Sequence, residues 1–170
     1  MNIDVGIMEK ERQKAMSSAV MAQAFGAVAN LVFKNGFMLA YLSLLGISSS
    51  KLLLFLSIPE IFIFFFSIPS AYLCDLHGNK KIGVIGLIMT IAGFFFIALS
   101  SSPLMTGGFD RSLLFIVGAV FFGIGYAAFG GGWFALLAPI VPENIRGSFF
   151  GKLRMTWQAV SIFFNFAVAL

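Results

Sequence analysis

The chain alternates long apolar runs with short polar breaks. Four runs reach the length of about 20 residues that a helix needs to cross the hydrocarbon core of a bilayer, and a fifth is still apolar at Leu170. The breaks carry the glycine, serine and charged residues that are typical of turns. This pattern predicts an all-α, polytopic transmembrane helix bundle. Its five spans are expected at about 15–45, 52–73, 82–99, 113–141 and 155–170.

Residues 1–14 differ from the bundle that follows, 15–170, because they carry six charged side chains and no long apolar run. We expect them to form a solvated cytoplasmic lead. The first run is longer than a bilayer requires: about 30 residues at about 1.5 Å each give a helix of about 45 Å. A helix of that length must tilt or extend beyond the membrane.

The composition excludes several classes of protein. Hydrophobic residues make up 59% of the chain and charged residues 11%, whereas a soluble domain has about 45–50% and about 25%. The net charge of +4 is divided among short clusters between the apolar runs, which argues against a nucleic-acid partner. The single cysteine excludes an internal disulfide and a CxxC metal site. Because no nucleophile lies near a base in a recognisable motif, we expect no enzyme and no cofactor.

The basic residues also predict the orientation. If the N-terminus lies inside, eight of the 11 Lys and Arg residues fall on the inner side, two on the outer side, and Lys34 within a span. Cytoplasmic loops of membrane proteins are enriched in Lys and Arg. We therefore expect a multi-pass protein of the cell membrane, inner or plasma, with a cytoplasmic N-terminus.

Four polar side chains of the first span share one side of the predicted helix. At about 100° per residue, they fall within a sector of about 40°. A lipid-facing stripe of this kind would be costly, so it should face a water-filled or protein-lined interior. A polar contact between helices, without transport, is the alternative. This first-span stripe consists of Gln23, Asn30, Lys34 and Tyr41.

Lys34 and Glu60 fall at similar depths of the predicted first and second spans. Their distances from the outer ends of the two helices are about 15 Å and about 12 Å. A charge at mid-depth costs about 2.5–3.5 kcal/mol even on a lenient scale, so we hypothesise that the two form an ion pair or share a solvated cavity. Lys34 would then contact a substrate anion and Glu60 would take a proton, or the pair would be structural. If they pair, neutralising both should be better tolerated than neutralising either one.

Two further patterns lie in the later spans. Gln158 and Asn165 share one side of the fifth span with Ser161, and we add both amides to the expected cavity lining. The fourth span carries small residues in two series, which predict close helix packing on two faces because small side chains let backbones approach. One series, with a spacing of four, is Gly123, Ala127 and Gly131; the other, with a spacing of seven, is Gly118, Gly125 and Gly132.

Two loops resemble signatures of the major facilitator superfamily. Residues 71–81 resemble its helix 2–3 loop, Gly-x-Leu-Ala-Asp-Arg-x-Gly-Arg-Lys. The first glycine, the arginine and the next basic residue of this signature are replaced by Ala71, Leu76 and Asn79. Residues 141–151 are similar to its second cytoplasmic loop, Pro-x-x-x-Arg-Gly-x-x-x-Gly. Both loops lie on the side that the charge distribution predicts to be cytoplasmic. The positions that we carry over from these signatures to a cytoplasmic gate are Asp75, Gly78, Lys80 and Arg146.

The resemblance implies two six-helix halves that rock around a site at the midplane. We expect the chain to be part of the N-terminal half of such a fold, a fragment that lacks the C-terminal half. The expected function is secondary active transport of a small polar or anionic solute. Expected partners are the lipid bilayer, the solute, and a coupling proton or cation. The alternative is a small standalone membrane protein, an assembly factor or oligomeric channel, whose polar stripes are subunit contacts.

Overall fold

The computed structural model describes residues 2–34, 36–102 and 111–169, with the side chains of residues 9–33, 36–102 and 111–168. The described residues form helices and no strand, which confirms the all-α prediction. A short 3₁₀ helix, Glu143–Ile145, precedes the last α-helix. The α-helices are α1, Asn2–Lys34; α2, Phe37–Leu44; α3, Ser49–His77; α4, Asn79–Ser100; α5, Arg111–Leu137; and α6, Arg146–Ala169.

Four segments of the described helices are long and apolar enough to cross a membrane. They are Glu9–Phe33, Ser49–His77, Asn79–Ser100 and Arg111–Leu137. The fifth predicted span falls within α6, which is not among these four and which carries Lys152 and Arg154 near its start. Helix α1 runs through the charged lead, and the side chains from residue 9 to residue 14 are exposed.

The first apolar run is divided in the structure, where the sequence predicted one long span. Helix α1 ends at Lys34 and α2 starts at Phe37. Between them, Gly36 has a φ of 83°, in the left-handed region that glycine adopts without steric cost. A helix does not continue regularly through such a residue, so the rest of the first run forms the separate helix α2.

The chain forms two compact units. The first contains Met1–Phe37 and Leu137–Leu170, and the second Met38–Leu136. In the first unit α1 packs against α6. The rings of Phe37 and Phe164 meet there edge to face, with centroids 5.6 Å apart, a favourable aromatic geometry.

In the second unit, α4 and α5 pack antiparallel with their backbones in direct contact. A Cβ placed on Gly86 would lie 2.6 Å from the carbonyl oxygen of Gly125, and one on Gly93 would lie 2.7 Å from that of Gly118. Seven residues further along α5, a Cβ placed on Gly132 would lie 2.9 Å from the carbonyl oxygen of Asn79. Because small residues recur every seven positions, they lie on one side of each helix, and the two helices approach closely along that side.

A second face of α5 packs against α3, which runs parallel to it. A Cβ on Gly123 would lie 2.7 Å from the carbonyl oxygen of Pro59. Nearer the start of both helices, the rings of Phe55 and Phe115 stack with centroids 5.8 Å apart. The two-face prediction for this span is thus confirmed: the series with a spacing of seven faces α4, and Gly123 faces α3.

Candidate functional site

The first-span stripe begins on the more buried side of α1. Gln23 and Asn30 are half-buried, and Ala27, on the same face, is 0% exposed. Met21 and Phe25 lie about 180° and about 220° around the helix from Asn30 and are 58% and 72% exposed. Helix α1 therefore has an apolar outer face and a polar, partly enclosed inner face.

The amide of Asn30 is only partly satisfied by its own helix. Its Nδ2 atom donates to the carbonyl oxygen of Gly26 at 3.3 Å. An amide has two N–H donors and a carbonyl acceptor, so this bond leaves hydrogen-bonding capacity for a solute or water. Lys34 is the last residue of α1, and its side chain lies outside the described residues.

The two amides of α6 lie on its exposed side. Gln158 and Asn165 are both exposed, and they lie about 140° and about 120° around the helix from the buried Leu153. Asn165 donates from Nδ2 to the carbonyl oxygen of Ser161 at 2.9 Å. The packing of α1 on α6 therefore does not bring these amides to Gln23 and Asn30.

Tyr41, the last member of the first-span stripe, lies on α2 and joins it to the end of α4. Its hydroxyl oxygen is 2.6 Å from the carbonyl oxygen of Ile97 and 2.8 Å from Oγ of Ser100. Ser100 is 0% exposed, and its Oγ lies 2.7 Å from the same carbonyl. Three oxygen atoms thus share two hydroxyl protons. Sequence reasoning missed this cluster, because Ile97 contributes only backbone and Ser100 reads as a helix-end residue.

Removing the Tyr41 hydroxyl should weaken the contact between α2 and the end of α4. We expect Tyr41→Phe to destabilise the purified protein by about 1 kcal/mol, measured as a lower thermal unfolding midpoint in detergent. Tyr72→Phe is the matched control, since Tyr72 is 64% exposed on α3. Equal midpoints for the two variants would contradict a structural role for the Tyr41 hydroxyl.

Glu60 lies near the contact between α3 and α5. It directly follows Pro59, which is buried. The carbonyl oxygen of Pro59 would lie 2.7 Å from a Cβ placed on Gly123. Glu60 itself is exposed and lies within Ser49–His77, one of the segments that can cross a membrane. A carboxylate in such a segment is rare and is commonly functional.

The turn between α3 and α4 consists of one residue. Helix α3 ends at His77, α4 starts at Asn79, and Gly78 between them has a φ of 90°. The N–H of Gly78 donates to the carbonyl oxygen of Cys74 at 2.8 Å and so caps α3. Glycine at this position makes the tight turn possible, because only glycine takes this φ readily.

The charged residues expected at the cytoplasmic gate are exposed. Asp75 and Lys80 flank the turn within the second unit, and Arg146 belongs to the first unit. Nη2 of Arg146 lies 4.0 Å from Oε1 of Glu143, three residues earlier. An exposed pair at this distance contributes little to stability, so Arg146 remains able to exchange partners.

The comparisons agree with the fold and with the two loops. The sequence profile of the Major Facilitator Superfamily matches residues 15–170, which is most of the chain. Searches of curated proteins and of solved structures gave no match. Members of this family are transporters and not enzymes. The chain therefore belongs to the major facilitator superfamily, whose members are secondary transporters, and is a multi-pass membrane protein.

Proposed function

We propose that the chain is part of a transporter that moves a small polar or anionic solute by alternating access and that the inner face of α1 lines the solute path. One observation carries this proposal: Gln23 and Asn30 lie on the partly enclosed side of α1, opposite the exposed Met21 and Phe25. The apolar side chains of the outer face can contact lipid acyl chains, whereas exposing the amides of the inner face to them would be energetically costly. An aqueous path explains why amides are found on the inner face.

Two charged residues would set the solute class and the coupling. Lys34 continues the stripe by one turn beyond Asn30 in the sequence, and an ammonium group there would favour an anionic solute. Glu60, in a segment that can cross the membrane, would be the site of a coupling proton. Gln158 and Asn165 are exposed on α6, and their amides would offer further polar contacts to the solute.

The proposed orientation places the N-terminus and the α3–α4 turn in the cytoplasm of a cell membrane. The lead and this turn carry most of the basic residues of the first four helices, as expected of cytoplasmic segments. At the turn, Gly78 allows α3 and α4 to meet closely. Asp75, Lys80 and Arg146 would hold the cytoplasmic gate closed and release it during the transport cycle.

A ligand-binding measurement on the purified chain tests the solute class. Each small anion is paired with a neutral analogue, such as succinate with succinamide and glycerol 3-phosphate with glycerol. A ligand at about 100 times its Kd stabilises the folded state by about 2.7 kcal/mol. We expect at least one anion to raise the unfolding midpoint by several degrees and its neutral partner to have no effect. Equal shifts for both members of every pair would contradict the anionic preference.

A further inference from the structure

A groove with a basic rim opens at the α3–α4 turn. It has a volume of about 730 Å³ and is open to the surroundings. The end of α3, the first two turns of α4 and one residue near the end of α5 form its walls. The lining residues are His77, Gly78, Asn79, Lys80, Lys81, Val84, Ile85 and Leu136.

The cationic groups of this basic groove are available to an external partner. Lys80 and Lys81 are exposed, and among the described residues neither takes part in an ion pair. Asp75, although close in sequence, does not line the groove. No side chain caps the N-terminus of α4, so its first N–H groups add to the positive potential.

The floor of the basic groove is apolar. Val84 and Ile85 lie about one turn beyond Lys80 and Lys81, about 6 Å deeper along α4, and both are exposed. Helix α4 can cross a membrane from Asn79 to Ser100. Lys80 and Lys81 therefore fall at the level of lipid headgroups, and Val84 and Ile85 fall where the acyl chains begin.

We propose that the basic groove binds an anionic phospholipid. The ammonium groups of Lys80 and Lys81 contact the headgroup phosphate, and an acyl chain lies along Val84 and Ile85. A free phosphate would use the rim but would leave the apolar floor without a partner. A lipid satisfies both, and this assignment does not depend on which solute the protein transports.

Native mass spectrometry of the full chain in detergent tests this site. The protein is titrated with equal concentrations of dioleoyl phosphatidylglycerol and dioleoyl phosphatidylcholine, with or without inorganic phosphate. Each basic residue near an anionic surface contributes about fivefold in affinity. We expect wild-type protein to prefer phosphatidylglycerol by about 30-fold. The variant Lys80→Gln/Lys81→Gln should lose this preference, and Lys80→Arg/Lys81→Arg should keep it.

Lys10→Gln/Lys14→Gln is the charge-matched control, because both lysines are exposed on α1 and the same two charges are removed. It should keep the full preference. An equal loss in this variant would show diffuse attraction and overturn the proposal. Displacement of the lipid by millimolar inorganic phosphate would also overturn it, because it would indicate a small-anion site. Thermal unfolding of each variant verifies that it is folded, and single substitutions of Lys80 and Lys81 replace the double variant if it is not.

Discussion

Replacing Gly125 with alanine is expected to destabilise the chain by about 1–3 kcal/mol, the usual cost of overpacking a close contact. The new Cβ would lie 2.6 Å from the carbonyl oxygen of Gly86 and 2.6 Å from the backbone nitrogen of Thr90. Both are backbone atoms, so no side-chain rotation can relieve the clash and α4 must move as a whole. The measurement is the unfolding midpoint of the purified protein in detergent.

Gly130→Ala is the control on the same helix. A Cβ there meets nothing within 4 Å, and alanine favours a helix by about 1 kcal/mol over glycine, so this variant should be as stable as wild type or more stable. The double variant Gly86→Ala/Gly125→Ala should cost less than the sum of the single variants, since the first methyl group already separates the helices. Strict additivity would contradict a shared contact.

Replacing Lys34 with glutamine is expected to weaken anion binding strongly. A hydrogen bond to a charged group contributes about 1.5–3 kcal/mol, so affinity for the stabilising anion should fall roughly 10- to 100-fold. Lys34→Arg should retain most of the binding, because the positive charge is kept. The binding measurement is the ligand-induced shift of the unfolding midpoint described above.

Lys51→Gln is the matched control for Lys34. Lys51 is exposed in the first turn of α3, so its loss removes the same charge from a helix end and should leave anion affinity unchanged. If Lys34→Gln bound the anion as well as wild type, Lys34 would not be the anion contact. The transport assignment by family would still hold.

The packing of the central helices was largely readable from the sequence. The series Gly118, Gly125 and Gly132 predicted a close contact, because a spacing of seven keeps residues on one side of a helix. Its partner was not predicted, although Gly86 and Gly93 on α4 have the same spacing. Glycine occurs in several helices of the chain, and its spacing on one helix does not identify the helix against which it packs.

Other features could not be read from hydropathy. The break at Gly36 falls inside a long apolar run, and only the short polar sequence Lys34-Asn35-Gly36 signals a turn. Tyr41 fitted the stripe by helical angle, but the break places it on α2, where it bonds Ile97 and Ser100. The angle between two side chains can be calculated from their spacing only within one continuous helix. Gln23 and Asn30 both lie on α1, so they share one face as predicted.

The most direct test of the transporter account is the access of water to the inner face of α1. Cys74 is the chain's only cysteine, so Cys74→Ala gives a thiol-free background for Gln23→Cys or Phe25→Cys. These two positions differ in depth by only about 3 Å. Membrane vesicles are treated with a charged, membrane-impermeant maleimide. The account predicts labelling at position 23 and none at position 25, whereas labelling at 25 with none at 23 would contradict it.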